Sequence, residues 1–419
     1  MIETRPAPGL THRSTFTSFG EAPADRIKRP HANVESFETA HGKRTGIVRS
    51  WASILDAQTK AQAEMISRAA VVSAPVALMP DAHLGVGACV GSAIVTHGGI
   101  IPAAVGVDMG CGVIAVQTDL RREALKGSER SVLGRIRETI PAGVGQGHTG
   151  TGQDWAKFHA EFGDAPGGND QIRAKSPEQF GTLGSGNHFA EVCQDEVGSV
   201  WLLVHSGSRG PGNMLADKHI KKARELCAGA GVEHADLSHL TSGTDSFDAY
   251  IADMRWAQAY AFHQRQSMMN RMVEAIAVHA KFSVARTINC HHNYSVEIGA
   301  GQWLSRKGAI AAEADVLGIV PGSMGAATHI VRGKGNIDAH CTAPHGAGRR
   351  LGRNQARKSL SVDEFKAKMG DRTWQDRDAD NLLDEAPDVY KPIDVVMRDA
   401  EPLVESTAVL SQFINFKGM

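Results

Sequence analysis

An aspartate and a cysteine, Asp108 and Cys111, stand three residues apart in the run Gly106-Val107-Asp108-Met109-Gly110-Cys111-Gly112. A carboxylate oxygen and a thiolate so placed can bind one metal ion or share two. The three glycines let the backbone turn sharply and let a bulky ligand approach. A single DxxC is more often a buried cysteine in a tight turn than a ligand pair. Five histidine-bearing runs shift that balance. They are Met79-Pro80-Asp81-Ala82-His83-Leu84-Gly85, Gly184-Ser185-Gly186-Asn187-His188, His205-Ser206-Gly207-Ser208-Arg209-Gly210, Asn289-Cys290-His291-His292-Asn293 and His345-Gly346-Ala347-Gly348-Arg349. A lone histidine beside glycine is usually structural, but here the context recurs. Imidazole, thiolate and carboxylate together suit a borderline divalent metal such as Mn²⁺, Zn²⁺ or Fe²⁺.

Glycine runs also suit phosphate, because bare N–H groups can point at its oxygens. Gly184–Gly186, Pro321-Gly322-Ser323-Met324-Gly325 and Gly346–Gly348 are candidates. None matches a Walker A loop or a dinucleotide fingerprint, so a nucleotide site would be of another design. The residues alone therefore point to a metal-dependent enzyme acting on phosphate groups.

Elements must gather these runs. A helix is expected over 52–70, with apolar residues at Ile54, Ala57, Ala61 and Met65. Short strands are expected at 75–79, 89–95 and 113–118, and a surface helix over 121–140. The glycine-heavy stretch 142–174 reads as mostly loop. Strands at 190–192 and 200–204 follow, then a helix over 213–230. The longest helix is expected over 245–280, with Met269, Met272, Ile276 and His279 on one face. Short strands then run to about residue 335. A basic helical segment and C-terminal helices complete the chain. The polar motifs fall in turns at strand ends, which suggests one compact α+β domain whose single site gathers distant loops.

Composition narrows the class. The 419 residues carry 45 Lys and Arg against 46 Asp and Glu, so no global charge draws the chain to nucleic acid. The basic run Arg349, Arg350, Arg353, Arg357 and Lys358 reads by itself as a solvated helix face. No apolar run approaches membrane-spanning length. Six scattered cysteines without a CxxC pair argue against a disulfide scaffold or zinc ribbon and for a reducing compartment. Residues 1–45 are polar and lack the apolar core of a secretory signal, so a loose N-terminal extension to a cytoplasmic domain over 46–419 is expected.

Taken in order, the motifs MPDAHLG, IPAAVGVDMGCG, GSGNHFAEV, HSGSRG, INCHHNY, VPGSMGA and HGAGR resemble the RtcB family of RNA ligases. The resemblance runs from about residue 50 to Lys417-Gly418. It implies the RtcB-type α+β fold of packed β-sheets flanked by helices. It also implies joining of RNA ends that carry a 2′,3′-cyclic phosphate or 3′-phosphate to ends that carry a 5′-hydroxyl. GTP and two Mn²⁺ ions are the implied cofactors, and a His–GMP phosphoramidate the implied intermediate.

By motif, Cys111 resembles the thiolate that bridges the two metals. Asp108 and His188 would complete one metal site, His205 and His292 the other, with His291 outside both. His345 matches the guanylylated histidine, although Pro344 stands where the family usually has serine. Asn187, Glu191, Asn293, Pro321, Gly322, Ser323, Met324, Thr328, Gly346, Ala347, Gly348 and Lys417 resemble guanylate-binding positions. Arg209 resembles a ligand of the RNA 3′-phosphate, where its planar fork suits that group. The resemblance further suggests a monomer and an archease-like activator. Two other readings stand beside it: a paralogue that guanylylates RNA ends without joining them, and a metal-binding module without catalysis.

Overall fold

The computed structural model describes residues 35–41, 44–150, 152–299 and 301–419. Two sheets carry the site. The larger has seven strands, ordered Val284–His291, Gly112–Arg121, Ser199–Ser206, Phe189–Gln194, Val404–Lys417, Thr328–Gly333 and Leu317–Pro321. Its central strands are apolar on both faces, as a sheet covered on both sides requires. Alternation sorts the side chains. Ile114 and Val116 face the long helix Asp245–Ala277, where Met268, Met269, Met272 and Ile276 pack with Val132 and Ile136 of the helix Glu129–Thr139. Val113 and Ala115 face the other way, against Ile288, Ile319, Ile330 and Leu410 of the same sheet, which curls nearly closed. The methionines are thus core filler.

The second sheet has six strands, ordered Glu35–His41, Arg44–Ser50, Val76–His83, Val90–His97, Gln302–Lys307 and Asn293–Gly299. The helix Ala57–Ser67 covers one face through Ala63 and Ile66. Asp56 starts that helix by accepting from Thr59 N at 2.9 Å, so it begins later than the apolar spacing alone suggests. The boundary expected at residue 46 falls inside the first hairpin, so residues 35–41 and 44–45 belong to this sheet. The rest of the expected extension, residues 1–34 and 42–43, lies outside the described residues.

The chain passes from the large sheet to the small one at a single residue, His292, between Val284–His291 and Asn293–Gly299. A short ribbon, Ala309–Ala311 paired with Thr342–Pro344, then brings His345 to the same junction.

Two expectations fail. The stretch expected as loop holds the helix Gln153–Phe162 and the start of Asp170–Gln179. Trp155 and Phe158 bury one face against Phe180 and Tyr260, and Asn169 caps the second helix at Ile172 N. Tertiary burial outweighs a glycine-rich composition there. The chain also ends in a strand rather than a helix: Val404–Lys417 follows the short helix Ile393–Asp399 and pairs with both Thr328–Gly333 and Phe189–Gln194.

Candidate metal and nucleotide site

Register explains why distant motifs meet. In the large sheet His291 pairs with Gly112, Gly112 with Ser206, and His205 with Phe189. His292, Cys111, His205 and His188 therefore lie along one edge, where neighbouring antiparallel strands start or end about 5 Å apart. Lys417 pairs with Phe189 and extends the same edge.

The Cys111 Sγ lies 3.4 Å from both His188 Nε2 and His205 Nε2. His188 Nε2 is 3.2 Å from Asp108 Oδ2, and His205 Nε2 is 3.3 Å from His292 Nε2. The atoms form two groups sharing the thiol, Asp108–Cys111–His188 and Cys111–His205–His292. Both sets can hold a metal: within each, the ligand atoms all lie within 4.8 Å of one another. His291 stays out, its Nδ1 lying 2.7 Å from Gly110 O.

The electrostatics suit a cation bound among these groups. Burial, reinforced by the neighbouring imidazoles, holds His205 and His292 well below the usual histidine range. Burial and the adjacent Asp108 push the Cys111 thiol well above its ordinary value. Burial also raises Asp108, but the hydrogen bond and charge of His188 outweigh it and leave the carboxyl lowered. Neutral imidazoles and a thiol crowded lone pair to lone pair are what a bound metal would turn into ligands.

Asp108 is held from behind. Ser208 N donates to its Oδ1 at 3.0 Å. A Cβ on Gly207 would lie 2.0 Å from that oxygen, so HSGSRG needs glycine there. The buried Arg265, from the long helix, donates to Gly110 O at 2.8 Å and Ser206 O at 2.9 Å, tying the two loops together.

His345 stands beside this cluster, its ring centroid 4.8 Å from that of His292. Its Nδ1 is 2.6 Å from Asp81 Oδ2, which also accepts from His345 N at 3.1 Å. Asp81 is wholly buried. With Nδ1 donating to a carboxylate, Nε2 carries the free lone pair. Pro344 does not disturb this pair, because the N–H groups that Asp81 receives come from His345 and Gly346.

A cleft of about 340 Å³ opens over the cluster. Asp108, Cys111, His205, His292, His345, Asn187, Glu191, Asn293, Pro321, Gly322, Ser323, Met324, Gly346, Ala347, Gly348 and Lys417 all line it. His188 reaches the cluster without lining the cleft. Thr328 does not reach it. This residue pairs opposite Pro321, is fully buried, and its hydroxyl has no partner. Arg209 also lies off the cleft, its Nε donating to Thr182 Oγ1 at 3.2 Å and Nη2 to Gly143 O at 3.1 Å.

Two further groups support the cleft. Lys417 Nζ sits 2.9 Å from the buried Glu385 Oε2. Burial raises Glu385, but Lys417, Arg353 and Arg349 together bring it down to about 2. The basic run is therefore largely neutralised within the fold, since Arg353 and Arg357 also pair with Asp384. Burial pushes Glu191 up to about 8 against the opposing charges of Lys417 and Arg372. All six cysteines are free, and among the described residues no helix is long and apolar enough to cross a membrane.

A sequence model of the tRNA-splicing ligase RtcB family matches residues 62–418. The chain is 36% identical over 409 residues to the RNA-splicing ligase RtcB of Escherichia coli K12, covering 88% of this chain and 97% of that protein. It is 26% identical over 441 residues to the tRNA-splicing ligase RtcB of Nanoarchaeum equitans, covering 85% and 92% respectively. With a family match over most of its length and a cluster that joins the motifs in space, the chain belongs to the RtcB family of RNA ligases.

Proposed function

We propose that this ligase joins RNA 3′-phosphate or 2′,3′-cyclic phosphate ends to 5′-hydroxyl ends through a GMP carried on His345, in RNA repair or tRNA splicing. The observation that carries this reading is the Asp81–His345 pair, set at the junction of the metal cluster and the cleft. A cyclic phosphate is first opened to the 3′-phosphate. Asp81 fixes the tautomer of His345, whose Nε2 attacks the α-phosphorus of GTP and releases pyrophosphate. The GMP passes from His345 to the RNA 3′-phosphate. The 5′-hydroxyl oxygen then bonds to that phosphorus, GMP leaves with the electron pair of the broken P–O bond, and the hydroxyl proton goes to solvent.

Two Mn²⁺ ions would be held by Asp108, Cys111 and His188 and by Cys111, His205 and His292. They supply charge stabilisation at phosphorus. Asn187, Glu191, Asn293, Pro321–Met324, Gly346–Gly348 and Lys417 hold the guanylate, and Arg209, although off the cleft, offers the RNA 3′-phosphate its Nη1, which lies beside Gly184 and His188. Thr328 supports Pro321 from the next strand without touching ligand. We further propose a cytoplasmic monomer with one ligase domain, the expected 46–419 together with the hairpin residues 35–41 and 44–45 that pair into its sheet, served by an archease-like activator.

The test supplies both RNA ends with GTP or ATP and with Mn²⁺ or Zn²⁺. Joining with GTP and Mn²⁺, and an acid-labile GMP mapped to His345 and absent from His345→Ala, is expected. A GMP on Lys417 or on another histidine overturns the assignment. Guanylylation without joining would favour the paralogue reading, and metal binding with neither would favour a binding module.

A further inference from the structure

Two residues that belong to no motif and do not line the cleft stand behind its wall. Gln412 and Asn415 lie on the C-terminal strand, and both are buried. Residues three apart on a regular strand face opposite ways. Here the register against Phe189–Gln194 shifts between Gln412 and Ile414, so Phe413 is the extra residue of a β-bulge. The bulge turns the rest of the strand over by one face. Gln412 comes opposite Cys193, Asn415 opposite Glu191 and Lys417 opposite Phe189. All three therefore share the inner side of the curled sheet with Cys193 and Phe189.

The two side chains form a relay. Gln412 Nε2 donates to Ser323 O at 2.9 Å and Ala326 O at 3.0 Å, and its Oε1 accepts from Gly325 N at 3.1 Å. These three bonds seat the amide one way round. The same Oε1 faces Asn415 Nδ2 at 3.4 Å, and that Nδ2 donates to Glu191 Oε1 at 2.6 Å. The relay thus ties two parts of the cleft wall, the turn at Ser323 and Glu191. It leaves Asn415 Oδ1 buried without a partner among the described residues, an arrangement that strand packing alone does not ask for.

What the relay fixes is the hydrogen-bonding sense of Glu191. An ionised carboxylate only accepts, whereas a protonated one also presents an O–H. Burial pushes Glu191 up to about 8, and an N–H from Asn415 opposes that by favouring the charged form. Guanine offers adjacent N1–H and 2-amino donors to an acceptor. Adenine offers a bare N1 lone pair at the same place, which a carboxylate repels and a carboxylic acid can bond. We propose that Asn415, seated by Gln412, is a positioning residue that makes the nucleotide site select guanine over adenine by keeping Glu191 an acceptor. This inference rests on the guanylylation reading given above.

The test uses the full-length, Mn²⁺-loaded protein and follows the His345 adduct with GTP and with ATP. The wild type is expected to prefer GTP. Asn415→Ala removes the donor. It should raise KM for GTP about tenfold, the size of one hydrogen bond to a charged group, and leave KM for ATP unchanged or lower. The maximal rate with GTP should stay within about threefold. Asn415→Ser, which leaves a polar group too short to reach Glu191, should do the same. The ratio of the two nucleotides is read on one preparation, so it does not depend on the folded fraction. On a Glu191→Gln background, Asn415→Ala should change that ratio no further. Parallel losses with GTP and ATP overturn the proposal, because they are what a purely structural residue gives. So does a further change of the ratio on Glu191→Gln, or a wild type that prefers ATP. If the wild type forms no adduct with either nucleotide, the guanylylation reading fails. Calorimetric binding of GTP and ATP to the same proteins then still decides the relay. Weaker binding of GTP alone in Asn415→Ala supports it, and a parallel loss overturns it.

Discussion

Asp81 carries most of the orientation at His345, the proposed nucleophile. Its Oδ2 receives two donors from His345 and a third from Gly346 N at 3.3 Å. Asp81→Asn keeps the volume but turns an acceptor into an amide that can present a donor to Nδ1. That places the ring proton on Nε2 and removes the attacking lone pair. Guanylylation should fall by about 10²–10⁴, as when a catalytic histidine is held in the wrong tautomer, with metal content unchanged. A rate within about threefold of wild type would show that the pair does not set the tautomer. Cys111→Ser acts differently, because a hydroxyl is a poorer ligand than a thiolate for a borderline metal. At least one metal equivalent should be lost and guanylylation should drop about 100-fold or more, with circular dichroism unchanged. Full metal content by elemental analysis would remove Cys111 from the site. The ligand types were legible in the sequence because each stands in a short run beside glycines or, at His292, beside small polar residues. The role of Asp81 was not, although its motif was noticed, because tautomer control comes from a contact spanning 264 residues.

Strand ends do the gathering at the next scale, and a lysine outside every motif locks two of them together. Lys391 Nζ donates to Ile54 O at 2.6 Å, Pro80 O at 3.0 Å and Ala82 O at 2.7 Å, while Lys391 N donates to Gly348 O at 2.9 Å. It thus clamps the Asp81 turn to the loop after His345. Gly348 permits the approach: its φ is +73°, and a Cβ there would lie 2.1 Å from Asp81 O. Lys391→Met leaves three carbonyls without that donor. It should cost about 3 kcal/mol in urea unfolding and slow single-turnover guanylylation about tenfold at saturating GTP. Lost stability with an unchanged rate would make the lysine structural only. Nothing local marks Lys391, because its partners lie more than 300 residues away in three of four bonds. The strands that bear motifs were legible as short β-like runs between glycine-rich turns, and the long helix from its 3,4 spacing. The helix Gln153–Phe162 was not, since its aromatic face makes sense only against Phe180 and Tyr260. Nor was the final strand, whose partners at 189–194 and 328–333 come from elsewhere in the chain.

Across the whole molecule, the C-terminal strand and the segment 376–391 meet at the cleft wall through one buried carboxylate. Glu385 meets Lys417 at 2.9 Å, Arg349 at 3.1 Å and Arg353 at 2.9 Å, and accepts from Tyr390 at 2.6 Å. Its partners come from three separate parts of the chain, so it joins them only in the folded state. The folded pKa, about 2, lies below the ordinary glutamate value of 4.5. The folded form therefore binds fewer protons than the unfolded one between those values. The stabilisation from Glu385 is complete above about pH 4.5 and disappears as the pH falls toward 2. Glu385→Gln leaves the buried cations without their counter-charge and should cost about 3 kcal/mol at pH 7. The gap to wild type should narrow steadily below pH 4.5, because the protonated wild-type side chain comes to resemble the amide. Urea unfolding of both proteins across pH 3 to 7 measures it. A gap that stays constant to pH 3 would show that the carboxylate is not what holds the C-terminal strand against the cleft. A gap that narrows toward pH 3 would tie the stability of the whole fold to the charge that holds Lys417 at the cleft wall.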